Sequence, residues 1–306
     1  MAEDAADINR LIFNEEAASH DYKHRKLNER LTRELQKRLD FIDVDWASDD
    51  SNEEDKDEEG SGDKPRREVR LFDYACGTGM MSRALAPYTT QCVGMDISEK
   101  MVAEYNTQAE NQGLSPKEMH AVLGDLTSLT VSDALSSPEL FNFDIAVVGG
   151  GFHHFGDPEL AAKRLVQRLK PGGVLLIWDF LPHGPPHRHQ HHHAHSHTHT
   201  HGHENKHTHK ENETIDGSSH DVYHSVMHHG FSEPRIREIF TAAGAGTDFG
   251  LEVIGGGFVL GHGQQQQHQQ HQQQQVSVED WKDDADKDKE SFRRQVFFAR
   301  GTKGRA

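Results

Sequence analysis

Cysteine is scarce in this chain of 306 residues: only Cys76 and Cys92 occur, too few for a disulfide framework and in keeping with a reducing compartment. Long apolar runs are missing too, so no membrane-spanning helix is expected and a membrane is not an expected partner. The opening MAEDAADINR has neither the apolar core of a signal peptide nor the Arg-rich, acid-poor character of a transit peptide, which makes the cytoplasm the expected location. Basic residues are outnumbered, 33 Lys and Arg against 50 Asp and Glu. The net charge of −17 argues against nucleic acid as a partner, because phosphate binding relies on basic patches.

Much of the polar content is concentrated in three stretches. Residues 43–66 form an acidic insertion, expected to be disordered, residues 183–220 are His-rich, and residues 261–291 form a Gln/His-rich and charged linker. Removing them leaves roughly 220 residues, enough for one α/β domain. The remainder divides into a helical cap at 1–42, a core at 67–182, a further part of the core at 221–260, and a final strand and tail at 292–306. The alternating histidines can take up divalent metal adventitiously, since neutral imidazole ligates zinc, nickel or copper. They lack the fixed spacing and supporting carboxylates of a defined centre, so no built metal site is expected.

The organising stretch is VRLFDYACGTG, Val69 to Gly79. A short apolar run without helical spacing reads as a buried strand, and Gly77 and Gly79 supply the open backbone of a tight turn into a helix from Met80 to Leu85. Amide groups in such a turn point at a ligand over the helix N-terminus, beyond the carboxyl ends of the strands. A dinucleotide loop wants glycine or alanine where Ser82 stands, and Asp73 would repel a pyrophosphate. The same carboxylate suits a ligand carrying an ammonium and a sulfonium.

Two further strands end in carboxylates. QCVGMDI ends near Asp96, 17 positions past Gly79, placed to accept from two ribose hydroxyls while Ser98 caps the next helix and leaves the carboxylate free. MHAVLGDL ends near Asp125. Ala75, Cys76, Ile97 and Leu126 flank these acids, and Met101, expected mainly in the core of helix Glu99–Asn111, can also touch an adenine face. FDIAVV then leads into GGGFHHFGDP, where Gly149 and its neighbours would let backbone approach a ligand. His153 and His154 follow. Either could act as general base, because imidazole titrates near neutral pH, or both could pack and hold the loop.

The motifs DYACGTG, VGMDIS, LGDL, FDIAVVGGGFHH and LKPGGVLLIWDF, in this order, resemble class I S-adenosylmethionine-dependent methyltransferases of the small-molecule type. The similarity is to uncharacterised fungal methyltransferases and, more distantly, to ubiquinone and menaquinone C-methyltransferases. The resemblance implies a Rossmann-like, doubly wound α/β sheet of seven strands, with the last strand antiparallel and helices on both faces. It implies S-adenosylmethionine as cofactor and a small-molecule methyl acceptor. Asp73, Gly77 and Gly79 would surround the methionine part, Asp96 the ribose and Asp125 the adenine amino group, with Phe152 to Phe155 facing substrate.

Upstream, Leu27, Leu31, Leu35 and Leu39 repeat every four residues and predict an amphipathic helix from about His20 to Ile42. It covers an edge of the core, or, as the resemblance implies, the segment Phe13 to Tyr22 closes over the ligand. Two rival functions use the same features differently. A metal-buffering protein would rely on the His-rich segment over an inactive fold, and an NAD-linked oxidoreductase would use the same sheet.

Overall fold

A computed structural model describes residues 2–47, 67–182, 225–259 and 293–305. The expected insertions at 183–220 and 261–291, and residues 48–66 of the acidic one, lie outside the described residues. Seven strands form one sheet: β1 (Arg70–Tyr74), β2 (Gln91–Asp96), β3 (Met119–Leu123), β4 (Phe143–Gly149), β5 (Leu169–Phe180), β6 (Thr247–Val259) and β7 (Arg293–Thr302). Their order is β3-β2-β1-β4-β5-β7-β6. The first five run parallel, and β7 is antiparallel to both β5 and β6, as expected for the last strand.

Alternation along the strands divides the core into two layers, because successive side chains leave a strand on opposite faces. Phe72, Val93, Ala146, Leu175 and Phe297 pack with α5 (Pro158–Arg168) and α6 (Glu233–Ala243). Leu71, Cys92, Ile145, Leu176 and Phe298 pack on the other side with α3 (Met80–Leu85), α4 (Glu99–Asn111) and the end of α1 (Ala2–Gln36). Helices therefore cover both faces. Caps fall where their side chains can serve the orphan amides of a first turn: Ser98 accepts from Met101 N, Asp157 from Leu160 N and Ser232 from Arg235 N. Gly244 ends α6 with a positive φ.

One element departs from the sequence reading. The N-terminal helix begins at Ala2, far upstream of His20, and breaks before a short α2 (Leu39–Ile42). Its first half buries Ala5, Asn9, Ile12 and Ala17 at helical spacing, a stripe too small and too polar to register as amphipathic. The helix before β5 stops at Arg168, and LKPGG belongs to β5, where an irregular register between Phe143 and Ile145 accommodates it.

Candidate active site

Parallel pairing brings the carboxyl ends of β1 to β5, and the loops that leave them, to one edge of the sheet. After β1 the backbone turns through positive φ at Ala75, Gly77 and Gly79 into α3. A Cβ on Gly77 would meet nothing within 4 Å, so this turn faces open space. Asp96 spans the turn from the next strand: Oδ2 accepts from Gly77 N and Oδ1 from Ser98 N, each at 2.9 Å. Ser98 does cap α4, as expected, but Asp96 is nonetheless engaged. Its carboxylate ties the glycine turn to the loop after β2.

Asp73 points the other way from the cleft edge, beneath α3. It is 1 % exposed, and Oδ2 accepts from Ser82 N at 3.1 Å and Ser82 Oγ at 2.7 Å. Oδ1 is buried without a hydrogen-bond partner among the described residues. Burial pushes this carboxyl up to about 7, against the pull of the two Ser82 bonds and with the negative charge of Asp96 adding to the rise. Ser82, which argues against a dinucleotide loop, thus has a structural partner of its own. Cys76 is buried beside this pair, and burial, with the charges of Asp96 and Asp73, drives its thiol well above the usual range. A thiol so placed is inert.

At the other end of the cleft a cavity of about 200 Å³ is lined by Ile97, Leu123, Gly124 and Asp125, and by Ala6, Asp7 and Arg10 of α1. Asp125 lines it while accepting from Thr127 N and Oγ1, both at 2.6 Å, and from Tyr74 Oη at 3.4 Å. Tyr74 Oη in turn accepts from Leu126 N at 2.9 Å. Leu126 and Met101 are fully buried core residues, which favours packing over the ligand contact that either could have made. Gly149 and Gly150 accommodate protein. A Cβ on Gly149 would lie 2.5 Å from Met81 Cγ, and one on Gly150 would lie 2.4 Å from the Trp178 ring. The expectation that they admit a ligand is corrected by the indole that occupies this space.

His153 and His154 form the first turn beyond β4 and are both buried. Their rings lie 4.1 Å apart. His153 Nδ1 is 3.0 Å from Asp179 Oδ1, and its backbone N donates to Asp179 Oδ2 at 3.0 Å. Asp179, fully buried near the end of β5, holds the imidazole so that Nε2 carries the basic lone pair. His154 Nδ1 donates to Ser225 O at 2.9 Å, and burial, with the neighbouring His153, holds it well below the ordinary histidine range. Phe152, expected to face substrate, is fully buried against Phe155 and Phe231. Of the downstream histidines, His228 bonds to Phe155 O through Nε2 at 3.1 Å. His224 and the His-rich segment lie outside the described residues. Among the described residues no cluster of three or more His, Cys, Asp or Glu could hold a metal, and no helix is long and apolar enough to cross a membrane.

Helix α1 crosses this edge and is fastened to four loops. Asn9 Nδ2 donates to His154 O at 3.1 Å, and Phe13 meets the His154 ring edge-on at 5.2 Å. Asn14 Oδ1 accepts from Ser98 Oγ at 2.6 Å and Lys100 N at 3.2 Å. Asp21 accepts from Thr78 Oγ1 at 2.5 Å and Arg83 Nη2 at 3.2 Å. The remaining loop, after β3, meets it at the cavity beside Asp125. Asn14, Asp21, Tyr74 and Thr78 escaped the sequence reading, because single polar residues without motif spacing carry no signal until the fold brings them together.

Residues 72–177 match the protein family described as "Methyltransferase domain". The chain is 32% identical over 116 residues to an uncharacterized methyltransferase of Schizosaccharomyces pombe, covering 38% of this chain and 40% of the relative. A demethylmenaquinone methyltransferase of Thermus thermophilus is 33% identical over 116 residues, covering 37% and 48%. The matches thus span less than half the length of these curated relatives. Among solved structures, a chain in the complex between the Haloferax volcanii Trm112 methyltransferase activator and a protein described as a methyltransferase aligns over 95% of this chain and 97% of its own length. Its TM-score is 0.50 at 16% identity, a likeness of fold.

Proposed function

We propose that the methyltransferase domain uses S-adenosylmethionine and transfers its methyl group to a small-molecule acceptor. The observation that carries this reading is a glycine turn held by the strand-end carboxylate of Asp96, with open space at Gly77 and a cavity beside Asp125 at the next strand's end. The residues present fit the cofactor. Gly77 leaves room for the methionyl part, whereas a Cβ on Gly79 would lie 2.7 Å from Tyr105 Cδ2, and Asp21 and Asp96, both bonded to the turn, present carboxylates to a cation there. Asp96 orders the loop that would hold the ribose, and its oxygens retain lone pairs beyond the two backbone bonds they accept. Ile97 and Asp125 would flank the adenine. When bound, the cofactor supplies a methyl group on an electrophilic sulfonium.

The chain's own part is alignment and exclusion of water, the terms that dominate an in-line displacement. Helix α1 covers the edge through Asn9, Phe13, Asn14 and Asp21. Where the acceptor must lose a proton, His153 is the better base of the pair, since Asp179 holds its Nδ1 and leaves Nε2 to accept. His154 has its charge disfavoured by burial and serves to hold the turn. Incubation with methyl-labelled S-adenosylmethionine and a panel of small phenols, enols and amines tests the reading. Label in an organic product supports it, whereas a chain that neither binds the cofactor nor releases label is not such an enzyme.

A further inference from the structure

Resting on the cofactor reading above, we infer that His20 of helix α1 is a cofactor-binding residue that donates a hydrogen bond to the carboxylate of the methionyl group. The case begins with an accounting of donors around the glycine turn. A methionyl group brings an ammonium and a carboxylate, and the turn offers partners for the first: Asp21 and Asp96 both bond to it. The carboxylate needs a donor, and the obvious ones are engaged. Thr78 Oγ1 donates to Asp21, and Arg83 donates to Asp21 Oδ2 and to the carbonyl of Thr78.

His20 is not engaged in this way. Its Nδ1 is buried with no hydrogen-bond partner among the described residues, although the side chain as a whole is 24% exposed. Asp21 Oδ1, its ion-pair partner, is 3.8 Å away, beyond hydrogen-bond reach, and already holds the Thr78 hydroxyl. The ring sits one residue before the Asp21 clasp on the glycine turn. It packs against His24, with ring centroids 4.7 Å apart. A buried polar atom left without a partner is costly, and a ligand that supplies one relieves the cost. The geometry makes α1 part of the cofactor site as well as its cover.

The test compares two ligands that differ in the group at issue. S-adenosylhomocysteine carries the amino acid end, and 5′-methylthioadenosine keeps the nucleoside and thioether without it. Both are titrated calorimetrically into the full chain and into His20→Ala and His20→Gln. The expected result is an affinity for S-adenosylhomocysteine lower by on the order of tenfold in His20→Ala, restored to within about threefold in His20→Gln, whose amide can donate. Affinity for 5′-methylthioadenosine should be unchanged in both. An unchanged S-adenosylhomocysteine affinity in His20→Ala, or an equal loss for both ligands, overturns the assignment and leaves the cofactor reading standing. Binding of neither ligand by the unsubstituted chain overturns the cofactor reading and this inference with it.

Discussion

Asp179 grips His153 twice, through the imidazole at Nδ1 and through the backbone N of the same residue, each at 3.0 Å and inside the protein. A buried carboxylate in this arrangement fixes one tautomer and one ring orientation. For an acceptor that must lose a proton, His153→Ala should lower turnover about 100-fold or more, the usual worth of a general base. Asp179→Asn should lower it by a smaller factor, because Nδ1 loses its charged partner. Affinity for S-adenosylhomocysteine should be unchanged in both. Equal activity in His153→Ala and the unsubstituted chain would assign the dyad to holding the loop alone.

The glycines after β4 are expected to be intolerant for a packing reason. Gly150 has φ +71 and its missing Cβ would fall 2.4 Å from the Trp178 ring. Gly150→Ala should cost roughly 2–4 kcal/mol of unfolding free energy, from strain at a left-handed position and displacement of the indole. Chemical denaturation measures it. A loss below about 0.5 kcal/mol would show that Trp178 yields freely.

Asp73 gives the chain a pH-dependent term of definite sign. Its folded value of about 7 lies above the ordinary 3.8, so its contribution to stability is full below about pH 4 and is lost as pH rises through about 7. Asp73→Asn mimics the neutral acid and should remove this loss. Relative to the unsubstituted chain, the variant should gain thermal stability between pH 5 and pH 8, and parallel pH profiles would contradict the assignment.

His24 acts with the opposite sign. Burial, aided by the neighbouring His20, lowers it from 6.5 to about 4. Its contribution is therefore present above about 6.5 and lost as pH falls toward 4, by about 2 kcal/mol between pH 7 and pH 5. His24→Gln should flatten that acid limb. An unchanged limb would show that His24 takes up its proton in the folded chain as readily as in the unfolded one.

The sheet was legible because its strands are short apolar runs bounded by acids, glycines and caps, and because Asp73, Asp96 and Asp125 recur at successive strand ends. Ser98 marked a helix start correctly for the same local reasons. What could not be read was direction and partnership. Asp73 turns toward Ser82 and Asp96 is engaged by two backbone amides, both consequences of which way a strand residue faces and what packs there. The first half of α1 was illegible because it buries small and polar residues against loops, leaving no apolar stripe. Gly149 and Gly150 looked like room for a ligand until Trp178, 28 positions beyond Gly150, occupied it.

The most direct test of the central claim is calorimetric titration of S-adenosylhomocysteine into the full chain and into Asp96→Ala. The cofactor reading predicts saturable one-to-one binding by the unsubstituted chain and a loss of at least about tenfold in the variant, in which Gly77 N and Ser98 N lose their shared acceptor. Absence of binding by the folded, unsubstituted chain, or equal affinity in the two, would contradict it.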